Sequence, residues 1–346
     1  MSIKSEDYVW QDREIRFDSV PKMMKCRRGE YVVDSINSVE DTKGNGGERG
    51  SLVVTSLRML WISHKISRTN LSIGFGTVLN ITIKNARSKL RGNTQALCIV
   101  AKSQACRFEF IFTSLVKNSP RLFTTVQAVL RAYETTTTYR DLKLRGSVVK
   151  DMQLISLPQE EIYNQVQGVW NLSSDQGNLG TFFITNIRVV WHANLAQNFN
   201  VSIPYIQMRS IRVRDSKFGQ ALVVETTAKS GGYILGFRLD PPEHLQQIFK
   251  EISALHKIYF ASPILGVQYE AEEKAPAIEQ RSIVHVEDDV EIVDDEEGYE
   301  EGDAFASYFA EPNKATDREV VFDPVLGLAV EALPSGASTR SLWSVT

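Results

Sequence analysis

The sequence predicts a mainly β protein built from two tandem units of one design. Each unit is a seven-stranded β-barrel or sandwich capped by one C-terminal α-helix, and an acidic, partly disordered tail follows. Three observations carry this. TSLRMLW at Thr55–Trp61 returns 130 residues later as TNIRVVW at Thr185–Trp191. Each copy reads as a series of short runs rich in β-branched and aromatic residues, then one stripe of helical period. Charge is segregated: Gln268–Glu311 holds 16 acids against Lys274 and Arg281, a local −14, and the net charge of −3 leaves +11 for the rest.

The repeat extends well past the heptapeptide. Gly50 falls over Gly180, Leu52 over Phe182 and Val54 over Ile184. NLSIGF (Asn70–Phe75) falls over NVSIPY (Asn200–Tyr205), and LNITIK (Leu79–Lys84) over RSIRVR (Arg209–Arg214), all at an offset of 130. Further on, AVLRAY (Ala128–Tyr133) meets ALHKIY (Ala254–Tyr259) at 126, because Ala86–Gln95 faces the shorter Asp215–Gln220. Both offsets are even, so every in/out assignment along a strand survives the shift. A unit of this length suits a self-sufficient domain rather than a solenoid repeat.

In the first copy EYVVDSI (Glu30–Ile36) is the first strand, and Glu40–Gly50 is a glycine-rich loop. SLVVTS and RMLWIS form a tight strand pair. LSIGF, VLNITIK, QALCIVAK and CRFEFIF complete the seven. Ser119-Pro120 reads as a helix cap and opening proline, with Leu122, Val126, Val129 and Tyr133 on one helical face. In the second copy Asp240 reads as the cap, Pro241 as the first position and Glu243 as the capping-box partner. Leu245, Ile248, Ile252, Leu255 and Tyr259 then form one apolar stripe. The chain divides into an N-terminal segment at 1–28, a first domain at 29–140, a second at 150–260 and the tail at 261–346.

Composition narrows the function. No apolar run approaches the roughly 20 residues that span a bilayer, and the first residues lack a secretory apolar core. Cys26, Cys98 and Cys106 form no CxxC pair and read as thiols that pack, without a disulfide framework. The N-x-S matches at Asn70, Asn171 and Asn200 are then chance. G-x-S-x-G, Walker A, H-E-x-x-H and G-x-G-x-x-G patterns are absent, and the five histidines are scattered, so no enzyme, metal or cofactor is expected. Aromatics fall mostly at core parities instead of alternating with cations, which argues against nucleic acid. Trp61 and Trp191 read as core. Arg58 and Arg188 admit two roles, phosphate ligand or structural arginine paired with a loop carboxylate. Their retention in both copies beside an apolar strand favours the second.

Seven strands and a closing helix resemble the pleckstrin-homology (PH) superfamily, and the [ST]-x-x-R-apolar-apolar-W strand pair resembles its GRAM/GLUE-type branch. Longer strings are more specific. WQDREIRFD, VEDTKGNGGERG, ARSKLRG, GVWNLSSDQGNLGTFFITN, WHANLAQNFNVSIPY, DSKFG and ASPILGVQYE resemble the Bardet–Biedl syndrome protein five family, subunits of the coat-like BBSome. The resemblance covers nearly the whole chain. It implies tandem PH-like domains, binding of phosphoinositide membranes (phosphatidylinositol 3-phosphate in particular), and assembly with the other BBSome subunits. It further implies contact with an Arf-like small GTPase through the assembled complex, a role in trafficking to and from cilia, and no catalysis. The expected locations are the cilium, its membrane, the basal body and centriolar region, and the cytoplasm, always as a peripheral protein.

In PH-like domains the headgroup usually binds between the first loop and the third and fourth strands. Lys43 and Arg49 flank the GNGG loop, where glycine lets backbone amides approach a phosphate. His64, Lys65 and Arg68 follow the third strand, and Lys84, Arg87, Lys89 and Arg91 crowd the loop after the fifth. All nine are lipid or phosphate candidates, although EYVVDSI lacks the basic residues usual on that strand. The second copy has no cation in NLSSDQGNLG, so a phosphate there would need backbone and Ser173 or Ser174. Arg209, Arg212, Arg214 and Lys217 instead form a secondary basic face along its fifth strand. The alternative is a protein-binding scaffold whose PH-like folds bind no lipid.

In the tail, Phe305, Tyr308 and Phe309 fall at i, i+3, i+4, and Val325, Leu328, Ala329 and Leu333 have similar spacing. Helices this short are marginal alone, so both read as partner-binding segments that fold on contact. Packing back onto the chain's own domains is the competing expectation.

Overall fold

A computed structural model describes residues 11–44, 47–103, 106–117, 119–172, 177–268, 307–309, 320–323 and 328–331. The first domain consists of β1 (Ile15–Phe17), β2 (Val32–Asp41), β3 (Glu48–Thr55), β4 (Arg58–Ser63), β5 (Asn70–Gly74), β6 (Val78–Ser88), β7 (Gly92–Ser103), β8 (Cys106–Ser114) and α1 (Arg121–Thr135). A linker carries β9 (Lys143–Leu144), β10 (Val149–Lys150) and β11 (Gln153–Leu154). The second domain consists of β12 (Ile162–Asn171), β13 (Asn178–Thr185), β14 (Arg188–Ala193), β15 (Asn200–Pro204), β16 (Met208–Ser216), β17 (Gly219–Thr226), β18 (Ile234–Leu239) and α2 (His244–Ala261).

The two sheets share one topology. The first runs β1-β5-β4-β3-β2-β8-β7-β6, and the second runs β9-β15-β14-β13-β12-β18-β17-β16. Each holds the seven expected strands plus an eighth at its edge, supplied by the segment that enters the domain. β1 pairs antiparallel with β5, and β9 with β15. The extra strands escape a sequence reading because two or three residues carry no period. The first sheet curls on itself, bringing Phe17 of β1 to 5.8 Å from Phe108 of β8 between ring centroids.

Irregularities repeat as faithfully as strands. β2 shifts register between Ile36 and Val39, and β12 between Gln167 and Val169. At the corresponding positions Ser38 has φ 57° and Gly168 φ 76°, the left-handed conformation found in G1-type bulges. Just beyond, Trp61 Nε1 donates to Val39 O at 3.0 Å and Trp191 Nε1 donates to Val169 O at 2.9 Å. Both indoles are buried, as expected. Gly50 and Gly180 make room for them: a Cβ on either would lie 2.6 Å from the indole ring.

The helices differ from expectation at their starts. They begin at Arg121 and His244, and neither has a side-chain cap. The Asp240 amide donates to Gly168 O at 2.9 Å, so this residue belongs to the sheet side of the junction. The predicted stripes do face the cores: Leu122, Val126, Val129 and Tyr133 in α1, and Leu245, Ile248 and Ile252 in α2, are buried. Tyr133 lies 5.6 Å from Phe75, and Tyr259 stacks on Tyr205 at 6.0 Å. These are equivalent pairs at equivalent ends of the two sheets.

The domains are tied together. Arg13 pairs with Asp141, and Lys229 with Glu14 at 2.8 Å. Gln207 Nε2 donates to Arg140 O at 2.6 Å. After α2 the chain returns to the first domain, where Leu265 and Val267 enter the hydrophobic core and the Tyr31 hydroxyl donates to Val267 O. Of the cysteines only Cys98 is buried; Cys26 and Cys106 are exposed, contrary to the packing role expected of all three.

In the tail, Val320–Asp323 (β19) and Leu328–Glu331 (β20) pair antiparallel, with Asp323 opposite Leu328. This corrects the helical spacing read from the sequence. A proline follows Asp323 and disfavours the helical region there, and the Val-Val-Phe run prefers a strand. Val325, Leu333 and Phe305 lie outside the described residues.

Candidate functional site

The repeated heptapeptide builds a turn and its anchor. Thr55 Oγ1 accepts from the amides of Leu57 and Arg58 and donates to Arg58 O at 2.9 Å, and Thr185 does the same for its own turn. The arginine then turns inward. Arg58 Nε lies 2.8 Å from Glu30 Oε1, with further bonds to Ser72 Oγ and to the carbonyls of Met23 and Lys25. Arg188 Nε meets Glu160 Oε1 at 2.7 Å, with Ser202 Oγ and Ile155 O as partners. Both arginines are 0% exposed. They are the structural arginines that the sequence reading favoured.

Cations gather at one end of the first sheet. The β4–β5 turn, residues 64–69, folds beside the start of β3: the His64 amide donates to Arg49 O at 3.0 Å, and His64 Nε2 lies 2.6 Å from Ser51 Oγ. His64, Lys65 and Arg68 are exposed on that turn, and Arg49 is exposed next to it with Nη2 donating to Ser38 Oγ at 2.7 Å. Asn70 ties the turn together, donating through Nδ2 to Ser67 O and Arg68 O at 3.1 and 3.0 Å. Asn200 donates likewise to Gln197 O and Gly146 O in the second domain. In the sequence these asparagines read only as chance glycosylation matches. Their recurrence at the repeat offset was the signal that marked them.

The other candidates have different surroundings. Lys43 binds Glu109 Oε2 at 2.7 Å, while Lys84 reaches the same carboxylate at 3.3 Å. Burial pushes the Glu109 carboxyl up, but Lys43, Cys98 and Lys84 together pull it down to about 2. Lys84 and Arg87 lie on β6 itself, not in the loop where the sequence reading put them. Lys89 sits at the hairpin tip, its amide donating to Glu40 Oε1 at 3.0 Å and its Cβ beside Gly47. Burial raises the Glu40 carboxyl, outweighing the bonds from Ser88 and Lys89. Arg91 turns back to cap Ser114 O at 2.7 Å.

In the second domain Arg212 and Arg214 are exposed on β16, opposite Val223 and Ala221, while Ile211 and Val213 pack inward. Arg209 is the residue skipped in the register shift at the start of that strand, and Lys217 Nζ lies 5.0 Å from the Phe218 ring. β6 and β16 end their respective sheets, so both copies carry their basic strand at an edge. Ser173 and Ser174 lie outside the described residues.

Tyr308 differs from the free aromatic expected of a partner-binding tail. It is 1% exposed within the first domain's core, whereas Phe309 is 43% exposed. The side chain of Leu328 lies outside what the structure describes. Among the described residues no helix is long and apolar enough to cross a membrane.

Two antiparallel sheets of identical order, each closed by a C-terminal helix and the first presenting a basic turn at one end, define a protein of tandem PH-like domains. Family models describe the same division: the Bardet-Biedl syndrome 5 protein N-terminal PH-like domain matches residues 30–135, and the second PH-like domain matches residues 143–269. The Homo sapiens "BBSome complex member BBS5" is 57% identical over 339 residues, 98% of each chain, and the Danio rerio relative of that name is equally close. The Caenorhabditis elegans "BBSome complex member bbs-5" is 45% identical over 359 residues, covering 99% of this chain and 98% of the relative. The chain belongs to the Bardet-Biedl syndrome 5 protein family. The solved Vps36 N-terminal PH domain aligns at 20% identity over 37% of this chain and 99% of its own, with a TM-score of 0.28, too slight to bear on the assignment.

Proposed function

We propose that the chain is a non-enzymatic subunit of a BBSome, held to phosphoinositide membranes through the basic end of its first domain. The single observation that carries the lipid part is the cluster of Arg49, His64, Lys65 and Arg68 around a turn clamped by Asn70. Each Lys or Arg held near an anionic surface contributes about 1 kcal/mol. A site of this size is weak alone and gains from avidity within a coat. The relatives' names support assembly with other BBSome subunits. Ciliary trafficking and contact with an Arf-like GTPase through the complex are further parts of the proposal. Phosphatidylinositol 3-phosphate is the headgroup to test first. Partner contacts through the tail, at Phe305, Phe309 and Leu328, belong to the same proposal.

A second role, a scaffold that binds protein alone, is favoured by one observation: Lys43 and Lys84 already share Glu109. Flotation with vesicles containing phosphatidylinositol 3-phosphate separates the two. Charge reversal of Lys65 and Arg68 is expected to remove more binding than reversal of Arg212 and Arg214, and salt is expected to weaken what remains. A larger loss from the second pair moves the membrane face to β16. Binding to neither vesicles with nor without phosphoinositide leaves the scaffold.

A further inference from the structure

Pairing of β2 with β8 stops partway along β8. The last contacts are Asp41 opposite Phe112 and the Thr42 amide to Ile111 O at 2.9 Å. From there the neighbour of β8 is a different piece of chain. The Glu109 amide donates to Tyr308 O at 2.7 Å, and Phe309 forms an antiparallel bridge with Phe108. Ser307–Phe309 thus continues the strand that β2 leaves off.

The side chain of Tyr308 fills a shaped pocket. Its ring lies 5.4 Å from that of Phe17 and 5.1 Å from that of Phe110. Its hydroxyl donates to Asp41 Oδ2, a buried carboxylate at the pocket floor. The near wall is Gly44, where a Cβ would lie 1.7 Å from Tyr308 Cζ. A site with aromatic walls, a carboxylate at hydroxyl reach and a glycine wall selects tyrosine. Phenylalanine leaves the acid without that donor, and a phosphate cannot sit on a carboxylate.

We propose that the open half of β8 is a strand-addition seat for an extended segment bearing tyrosine followed by an aromatic residue. In the resting chain its own Ser307–Phe309 occupies the seat, and a partner's segment of the same chemistry displaces it. Main-chain pairing supplies affinity in such a site, and the side-chain pocket supplies specificity. The interval 269–306 joins the tail occupant to the segment after α2, which ends in the first core at Val267. A tether of that kind gives an effective concentration in the millimolar range at most, so a partner strand with more pairs along β8 wins the seat.

The test uses the full chain and a labelled peptide copying residues 303–313. In the Tyr308→Ala/Phe309→Ala chain the seat is vacated, and the peptide is expected to bind about ten-fold more tightly than to the unaltered chain, where the tail competes. A peptide with Phe at the tyrosine position should bind less well, and one with phosphotyrosine should not bind. Gly44→Ala fills the pocket from its wall, so that chain should reject the peptide while retaining its own fold by near-ultraviolet circular dichroism. Hydrogen exchange at the Glu109 amide should accelerate in both altered chains. Equal peptide affinity in unaltered and vacated chains overturns the proposal, as does failure of the vacated chain to bind. If the double variant does not fold, Tyr308→Phe replaces it: its weakened latch should admit the peptide more readily than the unaltered chain, and no gain overturns the proposal.

Discussion

A buried arginine is tolerable only when its whole fork is occupied. Arg58 meets that condition through Glu30, Ser72 and two carbonyls, and Arg188 through Glu160, Ser202 and one carbonyl. Arg58→Ala would strand a buried carboxylate, which costs about 3–5 kcal/mol; denaturant melts should show that loss, with a matching one for Arg188→Ala. A loss below about 1 kcal/mol would mean that the pair is dispensable. Glu109 makes a pH prediction. Its carboxyl lies near 2 in the folded chain against an ordinary 4.5. A depressed value means that its contribution is complete above 4.5 and is lost as pH falls toward 2. The difference between acid-unfolding profiles of the unaltered chain and Glu109→Gln should therefore shrink across that window. Parallel profiles would show that the Lys43 and Lys84 contacts add nothing. The sequence announced Arg58 through its repetition, but not that Lys43 would be claimed by Glu109, because those residues meet only when β8 folds beside the first loop.

Among elements, the β4–β5 turn is the one whose shape matters for binding. Asn70 pins two of its carbonyls, so Asn70→Ala removes no charge yet loosens the display of Lys65 and Arg68. Vesicle binding should fall several-fold while net charge stays constant; unchanged binding would mean that the cations act as a diffuse cloud. The basic edge strands admit a plain physical role as well. β6 and β16 each expose one edge, and charged residues there oppose pairing with another chain. Element type was legible wherever period and length agreed, as in the two helical stripes and the seven strands. Ser119 and Asp240 read as helix caps because a cap residue before proline looks alike at a helix start and at a strand exit, and for Asp240 the bond to Gly168 O decides for the sheet.

At the scale of the molecule, the segment that leaves the second domain completes the first. Leu265 and Val267 lie beyond α2 yet pack in the first core. Leu265→Ala should cost about 2–4 kcal/mol and loosen β2 and β8, measurable as faster hydrogen exchange in the first domain; a loss confined to the second domain would refute the tie. Truncations meant to remove the acidic tail must therefore leave Val267 in place.

What the sequence determined alone was local or repeated: two copies at even offsets, buried tryptophans, helical stripes, and a charge imbalance between body and tail. Each is a property of neighbours along the chain or of duplication, and both are written in residue order. Tertiary structure decided the rest. The edge strands β1 and β9, the sharing of Glu109, the return of Leu265 to the first core and the seating of Tyr308 on β8 all join residues far apart in sequence. No period or motif marks such meetings, because they depend on how a curled sheet brings distant ends together.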